Sequence, residues 1–281
     1  MMEMMKLNNG VEIPMLGFGT FRLSEPEEGK RSVLEALQAG YRLIDTAQFY
    51  GTEALVGEAI SEFGIARQDV FLTTKVWFHS YASGVCRESV LESMKNLKTD
   101  YLDMVLLHWP FGDTYAAWRD LEALYEEGKI RAIGISNFDP DRMIDFVHFQ
   151  KVKPALNQVE THLFCQRKEE RKWMDKYGIS YQAYAPLGQG SANEMFETEA
   201  VKKAAAAHGK TPAQIALRFL IQNGISAIPK SVHADRIREN LDVFDFRLTE
   251  AEMTELEKLD TRKPMIGNAE SPEKVEMAMT W

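Results

Sequence analysis

The chain has 281 residues, 45% of them hydrophobic, which is ample for one large core or two small ones. Its formal net charge of -9 argues against a broad nucleic-acid surface and an anionic membrane face, but leaves room for a local basic phosphate site. The two cysteines, Cys86 and Cys165, lie far apart without a CxxC pattern, which argues against a disulfide framework or a Cys-rich zinc site and makes a reducing cytoplasm the expected compartment.

The opening MMEMMKLNNG has no long apolar core, so no signal peptide is expected, and no later stretch is long and apolar enough to span a bilayer. MKLNNGVEIP reads as a β-hairpin, with Asn9-Gly10 as a tight turn. Short runs rich in Val, Ile and Leu then alternate with helical patterns. The expected strands are Leu16–Gly19, Tyr41–Asp45, Val70–Lys75, Met104–His108, Ala132–Ser136, Ala155–Val159, Ser180–Tyr184 and Ser226–Ile228. Between them, EEGKRSVLEALQAG puts Val33, Leu34 and Leu37 on one face and stops at Gly40. AAWRDLEALYEEGK puts Trp118, Leu121, Leu124 and Tyr125 on one face and stops at Gly128. TPAQIALRFLIQNG starts on Thr211-Pro212 and stops at Gly224. A further helix, TEAEMTELEKLD, precedes an end expected to be irregular, NAESPEKVEMAMTW. Eight buried-strand runs separated by helices predict a (β/α)8 barrel over residues 1–281 as a single domain, with a doubly wound open sheet as the alternative.

Most of these strands end on a polar or ionisable residue: Asp45, Lys75, His108, Ser136-Asn137, Gln158 with Glu160, Tyr184, and Lys230 after the last. In a parallel barrel all such ends converge on one face, where the active site lies. Asp45, Tyr50, Lys75 and His108 then become neighbours. A phenol with an ordinary pKa near 10 is a weak acid at neutral pH. A nearby ammonium lowers that pKa, a carboxylate keeps the ammonium charged, and an imidazole can hydrogen-bond a carbonyl oxygen. The set suits a reaction in which negative charge develops on an oxygen. Plainer readings stay open at this point: a solvated cap for Lys75, a satisfied core histidine for His108, a structural Asp45–Lys75 ion pair.

The motifs GFGTF (17–21), DTAQFYGTE (45–53), TTKVW (73–77), LLHWP (106–110), GKIRAIGISNF (128–138), NQVE (157–160) and IPKS…RIREN (228–240) resemble, in this order, those of the aldo-keto reductase family. Length and short tail are most similar to its bacterial branch, that of 2,5-diketogluconate and methylglyoxal reductases. The resemblance implies NADPH-dependent reduction of aldehydes or ketones, with Asp45, Tyr50, Lys75 and His108 as catalytic residues and Tyr50 as general acid. It implies a cofactor set of Gly19, Thr20, Ser136, Asn137, Gln158, Tyr184, Leu187, Lys230, Ser231, Arg236 and Asn240. Tyr184 would stack on the nicotinamide, Ser136, Asn137 and Gln158 would hold its amide, and the Lys230–Asn240 stretch would clamp the adenosine end. A Lys-Arg pair there suits the NADPH 2′-phosphate. No GxGxxG or GxxxxGK[ST] fingerprint is present, so a dinucleotide needs another mode of binding.

Phe21, Phe49, Trp77, His108 and Trp109 are the implied substrate residues, although rim packing would use the same aromatics. The terminal EKVEMAMTW is a candidate cover for the mouth through Met277 or Trp281. The chain is expected to be a monomer whose partner is a small carbonyl substrate, with no metal, nucleic acid or membrane. The sequence departs from the family at Thr52, where asparagine is usual, at Thr161-His162-Leu163, where Tyr-His-Pro is usual, and at Ala185, where serine is usual. Two competing classes are a redox-sensing regulatory subunit, which would bind NADPH without turnover, and a metal-dependent barrel hydrolase, for which His79 and His162 lack ligand spacing.

Overall fold

Strand β1 (Met4–Lys6) pairs antiparallel with β2 (Glu12–Pro14) as the expected hairpin. Its turn is one residue longer than the Asn9-Gly10 pair alone would make it. Leu7 N–H bonds to Val11 O at 2.8 Å, leaving a three-residue loop in which Gly10 alone takes a positive φ of 86°. The side-chain amides of Asn8 and Asn9 reach the carbonyls of Pro154 and Arg131, both at 2.9 Å. These contacts seat the hairpin across the N-terminal ends of the later strands.

The computed structural model describes residues 2–189, 192–266 and 271–281. The main sheet holds β3 (Phe18–Gly19), β4 (Leu43–Asp45), β5 (Phe71–Val76), β6 (Leu102–Leu107), β7 (Ile130–Ser136), β8 (Leu156–Glu160), β9 (Ser180–Tyr184) and β10 (Ser226–Ala227). Each pairs in parallel with the next. The ring closes where Leu16 bridges Ala227, with Ala227 N–H donating to Met15 O at 2.9 Å and Gly17 N–H to Ala227 O at 2.8 Å. The fold is a (β/α)8 barrel. All eight strands fall where the sequence puts them; seven differ in their ends, by one or two residues in most cases.

Two apolar layers follow from the period-two pattern. One face of the strands packs inward as Leu43, Phe71, Met104, Leu106, Ala132 and Leu156, plugged from below by Leu7 and Ile13 of the hairpin. The other packs outward against the helices, through residues such as Val105, Leu107, Ile133 and Ile135. Gly134 is required by close approach: a Cβ there would lie 2.7 Å from both Leu106 Cδ2 and Leu156 O. The helices begin and end where their caps lie. The helix Pro212–Gln222, for example, starts in a reciprocal capping box of Thr211 with Gln214.

The C-terminal segment departs from expectation. Its end is not wholly irregular, because Pro272–Ala278 is helical, with Ser271 Oγ accepting from Lys274 N–H at 3.3 Å. Ser-Pro is a helix-start pair, and a helix this short shows too little periodicity to be read in a sequence. No helix among the described residues is long and apolar enough to cross a membrane.

Candidate active site

Asp45 is the last residue of β4 and Lys75 lies one residue from the end of β5; both point into the barrel. They are fully buried, and Lys75 Nζ lies 2.5 Å from Asp45 Oδ1. The same ammonium donates to Thr46 O at 3.0 Å and to the Tyr50 phenol oxygen at 3.3 Å. Tyr50 sits in a single helical turn after β4, and its ring packs edge-on to the His108 imidazole at 5.5 Å. The structure thus brings Asp45, Tyr50, Lys75 and His108 together.

Burial pulls the Asp45–Lys75 pair toward neutrality, raising the carboxyl and lowering the ammonium, while their contact favours the charged forms. The sequence reading has Lys75 lowering the Tyr50 pKa. The balance in the structure runs the other way: burial first, then the Asp45 carboxylate, push it well above its ordinary value. The phenol is therefore held protonated at neutral pH. Burial, and then the Lys75 charge, keep His108 well below its usual pKa and therefore neutral. Its Nδ1 is buried and has no hydrogen-bond partner among the described residues.

A buried polar chain runs from this cluster down through the barrel. Gln158 Nε2 donates to Asp45 Oδ2 at 2.8 Å and to Gln182 Oε1 at 2.7 Å. Gln182 Nε2 then reaches Ser226 Oγ at 3.1 Å, and Ser226 Oγ reaches Pro14 O at 3.1 Å. Gln158 is therefore engaged first in orienting Asp45; what it keeps for a nicotinamide amide is acceptor capacity.

The other expected cofactor residues divide by what is already engaged. Ser136 Oγ donates to Gln158 O at 2.8 Å, and Asn137 Nδ2 donates to His108 O at 3.0 Å. Tyr184 Oη donates to Asn137 Oδ1 at 2.8 Å, which fixes its ring at the mouth. Thr20 is buried, its hydroxyl donating to Asp45 O at 3.0 Å and meeting Thr52 Oγ1 at 3.0 Å. Gly19 has no room for a side chain, since a Cβ would lie 3.0 Å from Ile228 O, and Leu187 packs against the core. Ser231 Oγ accepts from His233 N–H at 3.1 Å, in the turn that leads into the helix Ala234–Leu241. Lys230 and Arg236 are exposed and Asn240 is buried beside them. Neither cation has an ion-pair partner among the described residues. Two unpaired cations at a strand end fit the anionic end of a dinucleotide phosphate.

The expected substrate residues form an aromatic wall. Phe49 stacks on Trp77 with centroids 4.0 Å apart, Phe21 lies 4.9 Å from Tyr50, and Trp77 lies 5.2 Å from His108. Trp109 stacks on Phe111 at 5.4 Å. Of the two terminal candidates, Trp281 reaches the wall, at 5.9 Å from Trp77, 5.7 Å from Trp109 and 6.2 Å from Phe49. Met277 is 46% exposed and lies on the outside of its helix.

The stretches that depart from the family pattern are packed locally: Thr161 Oγ1 donates to the Tyr181 hydroxyl at 3.0 Å, and Leu163 is fully buried. Thr52 is buried between the hydroxyls of Thr46, at 2.8 Å, and Thr20, tying the turn that carries Tyr50 to β3. His162 joins the buried Glu160 at 3.1 Å through Nε2, and its Nδ1 accepts from Phe164 N–H at 3.2 Å. That pairing makes it a turn-forming residue. Ala185 has a φ of 47° and starts a turn through Gly188 N–H to its carbonyl at 2.9 Å. No group of three or more His, Cys, Asp or Glu among the described residues is placed to hold a metal. Two open clefts of about 560 and 570 Å³ flank the hairpin, at the far end of the barrel from this site.

The model of the aldo/keto reductase family matches residues 15–261. The chain belongs to that family. This aldo/keto reductase is 40% identical to the glyoxal reductase of Bacillus subtilis (strain 168), over 92% of its own length and 93% of the relative's. Its fold matches that of MGS-M4, an aldo-keto reductase from a Medee basin deep-sea metagenome library. The TM-score is 0.93 at 40% identity, covering 95% of this chain and 98% of that one. It also matches the aldo-keto reductase AKR2E5 complexed with NADPH, with a TM-score of 0.90 at 31% identity, covering 95% and 90% of the two chains.

Two residues at the mouth have contacts that the sequence did not signal, although Glu160 itself stood out as a strand-end carboxylate. Glu160 accepts from the backbone N–H groups of Met265, at 2.5 Å, and Ile266, at 3.0 and 3.2 Å. Lys274 lies against Trp109 and Trp281. Both contacts depend on how the last segment of the chain crosses the barrel, which no local pattern records.

Proposed function

We propose that the chain, acting as one barrel domain, reduces aldehydes or ketones to alcohols with NADPH, and that Tyr50 is the general acid. The observation that carries this is the contact series Asp45–Lys75–Tyr50 beside a neutral His108 at the mouth of the barrel. When bound, NADPH supplies the hydride. Tyr50, held protonated, gives its phenolic proton to the carbonyl oxygen as charge develops there. The phenolate left behind is stabilised by the Lys75 ammonium, and Asp45 and Thr46 O fix that ammonium's direction. Solvent later returns the proton. The neutral His108 imidazole has one N–H, which polarises the carbonyl oxygen and sets which face is presented.

Lys230 and Arg236 support NADPH over NADH, because guanidinium and ammonium groups recognise a 2′-phosphate. Ser136, Asn137, Gln158 and Tyr184 would hold the nicotinamide end, with Gly19, Thr20, Leu187, Ser231 and Asn240 completing the cradle. The four reacting groups come from one chain, so the reading needs no second subunit. The supporting comparison is with an enzyme named for glyoxal reduction and a relative solved with NADPH.

The test is oxidation of NADPH, followed by absorbance, with aldehydes and α-dicarbonyls. Tyr50→Phe should lower kcat by roughly 10²–10⁴-fold while leaving NADPH binding intact by fluorescence. Full activity in that variant would assign the acid to another group.

A further inference from the structure

The aromatic wall of the pocket contains one charged group that the proposed chemistry does not use. Lys274 is half-buried on the helix Pro272–Ala278, and its Nζ lies 4.7 Å from the Trp281 ring centroid and 5.7 Å from that of Trp109. The one hydrogen bond of its ammonium among the described residues is a long one, 3.4 Å to Ile266 O. No carboxylate among the described residues forms an ion pair with it. The nearest one acting on it, Glu160, already accepts from Met265 N–H, Ile266 N–H and His162. Burial lowers the pKa of the ammonium and Glu160 opposes that shift.

An indole face attracts a cation without neutralising it. The ammonium is therefore held in place, partly stripped of water, with no ion-pair partner among the described residues. Its position relative to the chemistry is fixed by ring contacts: Trp109 stacks 6.5 Å from the His108 imidazole, and Trp281 bridges Trp109 to Trp77. Lys274 also lies away from the cofactor clamp. Trp109 follows β6 whereas Lys230 follows β10, and the two strands are four places apart in a ring of eight. The anion that answers Lys274 is thus not the phosphate that Lys230 and Arg236 await.

We propose that Lys274 selects the substrate class: carbonyl compounds carrying a carboxylate on the part of the molecule that lies against Trp109 and Trp281. The apolar wall takes the body of such a molecule, Tyr50 and His108 take its carbonyl oxygen, and Lys274 takes its far end. On a chain of net charge -9, a local cation also offsets the repulsion an anionic substrate would meet. This inference rests on the carbonyl-reductase reading given above.

The test compares para-formylbenzoate with its neutral methyl ester, which has a similar ring and the same reacting aldehyde. In the wild type, kcat/KM should favour the acid by about tenfold, the equivalent of one partly buried charge-assisted contact. Lys274→Met should remove that preference through KM while leaving the ester within about twofold, and Lys274→Arg should keep it. Equal losses for acid and ester in Lys274→Met would reduce Lys274 to a prop for Trp281 and overturn the proposal, as would a wild type that prefers the ester. Titration with terephthalate, followed by tryptophan fluorescence, separates the two readings. Lys274-dependent binding with no turnover of either aldehyde would sustain the anion site and sink the reductase reading. Turnover of the ester with no Lys274-dependent binding would do the reverse.

Discussion

His108 is the residue on which acidification acts most directly. Its pKa in the folded chain is well below the ordinary histidine value of about 6.5, because burial and then Lys75 disfavour the imidazolium. Above about pH 6.5 the folded and unfolded chains are both neutral at this position, and its contribution to stability is complete. As pH falls below that value the unfolded chain takes up a proton that the native one refuses, so stability declines toward the folded pKa. His108→Gln should flatten this decline, read as the difference in urea midpoint between about pH 7 and about pH 5. Identical slopes in both proteins would place the acid sensitivity elsewhere. The identities of Asp45, Tyr50, Lys75 and His108 were legible in the sequence because each stands at or near a strand end. The direction of the Tyr50 shift was not, since it depends first on how deeply the phenol is buried and then on the Asp45 carboxylate. Thr52 was equally opaque, because its partners Thr46 and Thr20 are defined only once the turn is folded.

At the scale of elements, strands could be read from apolar runs and their stops, and helices from capping residues and glycines. The error lay at the ends and in the last segment, where the chain is short, polar and held by contacts remote in sequence. Glu160 ends β8, yet it governs Met265 and Ile266, a hundred residues later. It is a positioning residue acting on the segment that leads to Trp281. Glu160→Gln removes the charge that strengthens these hydrogen bonds, a loss of about 1.5–3 kcal/mol in local stability. Amide exchange at Met265 and Ile266 should accelerate, with KM rising more than kcat falls. Unchanged exchange at those two amides would show that the segment is held by its aromatic contacts alone.

At the scale of the whole molecule, the two ends of the barrel do different work. The bottom is sealed by Leu7 and Ile13, and the hairpin's Glu3 pairs with the buried Arg218 at 2.7 Å. Ile13→Ala should cost about 2–5 kcal/mol of global stability, measured by chemical denaturation, and leave kcat unchanged. A fall in kcat without a fall in stability would mean that the hairpin is linked to the mouth by more than packing. A polar chain joins the ends, from Pro14 O through Ser226, Gln182 and Gln158 to Asp45. Phe21, Phe49, Trp109 and Trp281 add no side chain to it, and they come from loops and the terminal segment. On the proposed reading, the groups that move the proton are anchored to the barrel's interior, and the groups that choose the substrate hang from its rim. A lineage carrying this barrel can exchange rim residues for a new diet of carbonyls while inheriting the acid unchanged.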